Sequence, residues 1–117
     1  MLQQIADISV FALNGEIDRF EAKQLLQRIY HLMQYRWSKI VLDFGEVAHV
    51  DYSIWRDLAA LSIATLAQEG AIKLANLNSY HQRLLQVAGA ESIFETYGSV
   101  ADAVLSFHEF SAPAGTC

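Results

Sequence analysis

Sulfur chemistry has almost nothing to work with in this chain. Its single cysteine is Cys117, so neither an internal disulfide nor a cysteine-rich metal centre can form. That thiol reads as an ordinary terminal residue, and such sparing use fits a reducing, cytoplasmic setting. Proline also occurs only once, within HEFSAPAGTC (108–117), a segment expected to be a flexible tail behind a folded region 1–107. Basic residues are scarce: 8 Lys and Arg against 13 Asp and Glu give a formal charge of -5. Nucleic acid and anionic membrane surfaces attract basic patches, so neither is the expected partner. The opening MLQQIADISVFALNG lacks a basic stretch followed by an unbroken apolar run, so no signal peptide is expected. Leu58 to Ala67, the most apolar stretch, is interrupted by Ser62 and Thr65 and is too short to insert across a bilayer. The 6 glycines are scattered and build no phosphate-cradling loop. His31, His49, His81 and His108 show no HExxH and no i,i+4 pair, so neither metal nor cofactor is expected.

What is present describes one globular domain. Hydrophobic residues make up 53% of the chain and charged residues 18%, at a length that supports a single buried core. Ile5, Val10 to Leu13 and Ile17 read as two short strands around Asn14-Gly15, a strong hairpin signal. Asp18 with Glu21 resembles a capping box. The helix it opens carries Ala22, Leu25, Leu26, Ile29, Leu32 and Met33 on one stripe. KIVLDF (39–44) is a continuous apolar run, as expected of a strand covered on both faces. A second helix is expected from Ser53 to Gln68, apolar around most of its girth, with Gly70 ending it and IKLANL forming the next strand. Ser79 with Gln82 marks a third helix stopped by Gly89, and Ser99 with Asp102 a fourth bearing Val100, Ala103, Val104 and Phe107. A short strand fits between them, within Ser92 to Tyr97. The order β-β-α-β-α-β-α-β-α predicts an α/β fold: a mixed sheet with flanking helices, parallel where helices cross over.

The seam HVDYSIW (49–55) places a carboxylate and a hydroxyl between two elements that both read as buried. His49, Asp51 and Ser53 fall at i, i+2 and i+4, which superficially offers a catalytic set. Side chains two residues apart on a strand emerge roughly 6–7 Å apart, whereas a working triad needs hydrogen-bonding contact. No G-x-S-x-G elbow exposes the serine either. A serine hydrolase using Ser53 is therefore the weak alternative. The simplest role for Ser53 is helix N-cap, worth about 1 kcal/mol, with Asp51 a carboxylate near the helix's positive end.

The wider pattern points further. Val41-Leu42-Asp43, Val50-Asp51, Glu69-Gly70, Asn76, Gly89 and Phe94 follow one another in an order and spacing that resembles the STAS domain of bacterial anti-sigma factor antagonists. LNGEID (13–18) is similar to that family's first hairpin, and the resemblance covers residues 5–107. It implies a non-enzymatic, cytoplasmic, bacterial binding module. Asp51 matches the motif aspartate and Ser53 the serine that the family phosphorylates, whereas Tyr52 stands for a serine and Ile54 for a glycine. The implied partner is an anti-sigma factor or related serine kinase, with a phosphatase for reversal. The implied docking set is Asp51, Tyr52, Ser53, Ile54, Arg56 and Asp57. A non-phosphorylated STAS scaffold or transporter-accessory subunit is the alternative within the same class. Trp55, like Tyr52, is of a type enriched at binding anchors, though a large aromatic here also suits the core. Physics favours a switch at this place. A phosphate adds about -1.5 to -2 charge at a helix N-terminus that tolerates anions, while a docked partner's facing carboxylate would meet repulsion from it of roughly 1–3 kcal/mol, with Asp57 and Glu46 adding like charge nearby.

Overall fold

A computed structural model describes residues 2–116, with side chains described through His108. Five strands, β1 (Leu2–Ile5), β2 (Ile8–Ile17), β3 (Lys39–Val50), β4 (Ala71–Ala75) and β5 (Glu95–Tyr97), form one sheet in the order β1-β2-β3-β4-β5. The first pair is antiparallel and the other three are parallel. Helices α1 (Arg19–Gln34), α2 (Ile54–Leu66) and α3 (Ser79–Val87) supply the three crossovers, and α4 (Val100–Thr116) follows the last strand. The alternation expected from the sequence is the alternation found.

Period-two side-chain direction divides the core into two layers. Ile40, Leu42 and Phe44 of β3, with Ile72 and Leu74 of β4, face α1, α2 and α3. Val41 and Ala75, with Ile8 and Val10 of β2, face α4, whose Val100, Ala103, Val104 and Phe107 form the expected stripe. β3 is thus covered on both faces, as its apolar run requires. Lys73 also points to the α4 side and is almost fully buried. Its ammonium pairs with Glu95 at 3.1 Å, donates to Ser106 Oγ at 2.7 Å and sits 4.2 Å from the Phe107 ring centroid. A buried charge so partnered ties α4 to the sheet. The α4 backbone continues to Thr116, and the expectation of a flexible tail over 108–117 falls mainly on residues whose side chains lie outside those described.

Two turns differ from expectation. The hairpin closes at Ala6-Asp7, between Ile5 and Ile8, with Ala6 at φ 55° and Asp7 paired to Lys39 at 2.9 Å. Asn14-Gly15 lies inside β2, where the register against β3 shifts on either side of it. Positive φ at Gly15 serves a bulge as readily as a turn. β3 also runs past the apolar segment, pairing with β2 as far as Val50.

The caps follow the same logic. Asp18 accepts from the Glu21 amide at 2.8 Å, and Ser99 from the Asp102 amide at 3.0 Å. α2 is shorter than Ser53–Gln68, ending at Leu66. Gly70 lies beyond it, and a Cβ there would sit 2.1 Å from the Ser38 carbonyl oxygen, so close approach to Ser38 requires glycine. The α3 cap is Asn78, not Ser79: Asn78 has extended backbone and accepts from the His81 amide at 2.8 Å. Asn78→Ala is therefore expected to cost about 1 kcal/mol, and Ser79→Ala a few tenths. Urea melts of the two variants check this, and equal losses would contradict it.

Candidate functional site

The seam between β3 and α2 is a tight polar turn fastened to β2. The Asp51 amide donates to the Ile17 carbonyl at 2.8 Å, and the Ile54 amide to the Asp51 carbonyl at 3.0 Å. Ser53 Oγ donates to Asp51 Oδ2 at 2.9 Å. The same carboxylate oxygen lies 3.6 Å from Arg19 Nε, which reaches across from the first turn of α1. The Ser53 hydroxyl above all holds the Asp51 carboxyl below its ordinary range, overcoming the opposing effect of burial, with lesser help from the Ser53 amide and the Arg19 charge. Asp51 is thus a carboxylate at neutral pH with its proton-donating neighbour fixed. It opens onto a cleft shared with Glu16, Asp18, Arg19 and His49. Among the described residues no group of three His, Cys, Asp or Glu side chains is placed to hold a metal ion. A larger groove of about 660 Å³ between β2 and α1, lined by Phe11, Leu13, Leu25 and Leu32, holds none of the expected site residues.

Ser53 does not cap α2 in the expected way. Its backbone is helical (φ -64°, ψ -17°) and its side chain makes no cap hydrogen bond. An N-cap accepts from the following amides through an extended backbone, whereas this hydroxyl points back and donates to Asp51. Tyr52 is 45% exposed and Arg56 and Asp57 are exposed, so three of the expected docking residues flank Ser53 on the surface. Ser53 and Asp51 are half-buried. Ile54 is different: it is 0% exposed, packed inside the main core, and so leaves the docking set. Trp55 is likewise fully buried, stacked on Phe44 at 5.5 Å between centroids. It is a core residue, not an anchor. The helix turns both side chains inward because its first two positions straddle the sheet-facing side.

Behind the turn runs a row of rings: Trp55, Phe44, His81, Tyr80 and His49, each neighbouring pair with centroids 5.5–6.0 Å apart. His49 Nδ1 shares a 2.7 Å hydrogen bond with the Tyr80 hydroxyl. That histidine is engaged with α3, so it is not aligned as a base on Ser53. The structure brings Asp51 and Ser53 together, while His49, on the same cleft as Asp51, is hydrogen-bonded to Tyr80.

Two features escaped the sequence reading. Arg19 is one: a cation in the first turn of a helix opposes the dipole, and that mismatch was the available signal of a partner elsewhere. The second is the union of Asp43 with Asn76, whose Nδ2 donates to Asp43 Oδ1 at 2.9 Å. Asp43 also accepts from the Gly45 amide, and Asn76 adopts φ 61° to reach it. These motif pieces lie 33 residues apart, and only the fold joins them.

Comparison with known proteins agrees with this architecture. The model of the STAS domain matches residues 1–103. TM1081 of Thermotoga maritima superposes with a TM-score of 0.83 at 16% identity, over 92% of this chain and 93% of that one. An anti-sigma factor antagonist from Mycobacterium paratuberculosis gives 0.79 at 22% identity, over 92% of each chain. The Bacillus cell fate determinant SpoIIAA, in its phosphorylated form, gives 0.72 at 18% identity, over 89% and 95%. No curated protein matches the chain. At these identities the structural likeness speaks for the fold, and the domain match, spanning every strand and the start of α4, carries the assignment: the chain belongs to the STAS domain family.

Proposed function

We propose that this STAS domain is a bacterial, cytoplasmic binding module of the anti-sigma factor antagonist kind, switched by phosphorylation of Ser53. The observation that carries the reading is the Ser53 hydroxyl, held by Asp51 at the surface end of α2. Its acceptor oxygen is fixed in place, with Tyr52, Arg56 and Asp57 exposed around it. The side chain that replaces the family's glycine, Ile54, points into the core and adds no bulk to this surface. A kinase therefore meets a hydroxyl flanked by one exposed ring and two charges. Names of structural neighbours favour the same role: one is an anti-sigma factor antagonist and another was solved phosphorylated.

In this reading the unmodified surface docks on an anti-sigma factor, and the added phosphate ends docking. The dianion sits beside the Asp51 carboxylate and ahead of Asp57, so a partner must desolvate several like charges together. The test is direct. Purified chain incubated with ATP and an anti-sigma factor kinase should gain one phosphate, mapped to Ser53 by mass spectrometry, and Ser53→Ala should gain none. Ser53→Asp should weaken anti-sigma factor binding about tenfold or more, with a melting curve close to that of the parent. A phosphate on another residue, or full binding by Ser53→Asp, would overturn the switch.

A further inference from the structure

We infer that Arg19 is the counter-charge for a phosphate on Ser53, an inference that rests on Ser53 as the phosphoacceptor. Arg19 Nε and Ser53 Oγ both contact one atom, Asp51 Oδ2, at 3.6 and 2.9 Å. Sharing that atom places the guanidinium within a phosphate group's reach of the hydroxyl. Phosphorylation removes the hydrogen that Asp51 accepts and sets a dianion against the same carboxylate. Without a cation between them the phosphoserine would rotate out into water. Arg19 can supply that cation. Its side chain is 84% exposed and free to follow the phosphate, and its planar fork of donors can bridge two oxyanions at once. The α1 cap is already provided by Asp18, and a first-turn cation runs against the helix dipole. Arg19 therefore has no role within its own helix that explains its place. Arg56, exposed three residues beyond Ser53, is the competing cation.

The bridge gives the modification a second consequence. Among the described residues Arg19 is ion-paired with Asp51; drawn onto the phosphate, it would join α1 to the start of α2 by charge-assisted hydrogen bonds. The phosphorylated state would then differ from the unmodified one in the surface presented by α1 as well as in charge at α2.

The test installs phosphoserine at position 53 during translation, by codon suppression, and follows its second ionisation by phosphorus NMR. No kinase is involved, so a kinase that ignores Ser53 would sink the proposed switch without touching this result. The parent phosphoprotein should titrate about 0.5 pH unit or more below Arg19→Gln, a roughly threefold change in proton affinity. Arg19→Lys should recover part of the difference, and Arg56→Gln should titrate close to the parent. Equal midpoints for parent and Arg19→Gln, or a shift that follows Arg56 instead, would overturn the assignment. The unmodified Arg19→Gln chain should melt like the parent, since the side chain is exposed; a titration shift accompanied by unfolding would count against the bridge.

Discussion

Ile54→Gly, which writes the family's own residue back into the motif, is expected to be among the most damaging single changes in the chain. Ile54 is 0% exposed and belongs to the cluster that includes Phe44, Val50, Trp55 and Leu58. Removing a whole buried isoleucine side chain forfeits its transfer free energy and leaves a cavity, together about 3–5 kcal/mol. Glycine at the first helical position adds a conformational cost of a few tenths of a kcal/mol or more. Against a typical domain stability of about 5–15 kcal/mol, that is a large fraction, equivalent to a Tm loss on the order of 15 °C. Ile54→Val, by contrast, should cost about 1 kcal/mol. Thermal melts of both variants check the contrast. A glycine variant as stable as the parent would show that Ile54 does not fill the core. The two residues thus solve different problems at one position: a glycine leaves space, whereas this chain fills it from within and has its own packing built around the result.

His81→Leu should raise stability and flatten its dependence on pH. His81 lies in the first turn and a half of α3, fully buried against Phe44 and Tyr80. Among the described residues neither ring nitrogen has a hydrogen-bond partner. Desolvation, with a smaller repulsion from His49, pushes its pKa below the ordinary histidine value. The sign follows from linkage. Above about pH 6.5 the ring is neutral in both folded and unfolded chains, so this group imposes no proton-linked loss. As pH falls below that value the unfolded chain takes up a proton that the folded chain refuses. Stability then declines, by at most about 1.4 kcal/mol per pH unit, until the pH reaches the lowered folded value. Leucine removes both the titration and the orphaned nitrogens. Even at pH 8 the variant should gain about 1–3 kcal/mol, the desolvation cost of unpaired buried polar atoms. Urea melts at pH 8 and pH 5.5 measure both effects. An unchanged pH slope in His81→Leu would assign the acid sensitivity to other groups.

The order of elements was legible in the sequence because it is written in periodicity. The α1 stripe from Ala22 to Met33 and the apolar run of β3 each permit one efficient burial. Local chemistry was less legible where one residue type serves two geometries. Gly15 supplies positive φ, and a bulge uses it here while the chain reverses at Ala6-Asp7. Asn78 and Ser79 are both good caps side by side, and only the backbone angles choose. The hydroxyl of Ser53 accepts in a cap but donates in this turn, and the difference is set by ψ. Asp51 and Ser53 could be paired in sequence because they are neighbours. Arg19 could not, since its contact with Asp51 depends on the β2–β3 pairing that sets Ile17 beside Val50 and Asp51. Likewise an α2 that is apolar on most sides does not declare which positions face inward, and Ile54 stood in the docking set only through its place in the family's motif.

The length of β3 has a mechanical consequence. β4 pairs with β3 only as far as Asp43, whereas β2 follows it to Val50. The stretch Glu46–Val50, with Asn14–Ile17 alongside, is a two-stranded cantilever rooted where β4 stops, and Ser53 rides just past its tip. Val47 and Val50 brace it from beneath, and the His49–Tyr80 hydrogen bond is a lateral strut to α3. A partner docked at the tip, as proposed, would load α3 through that strut and α1 through Arg19, so two helices would share the force.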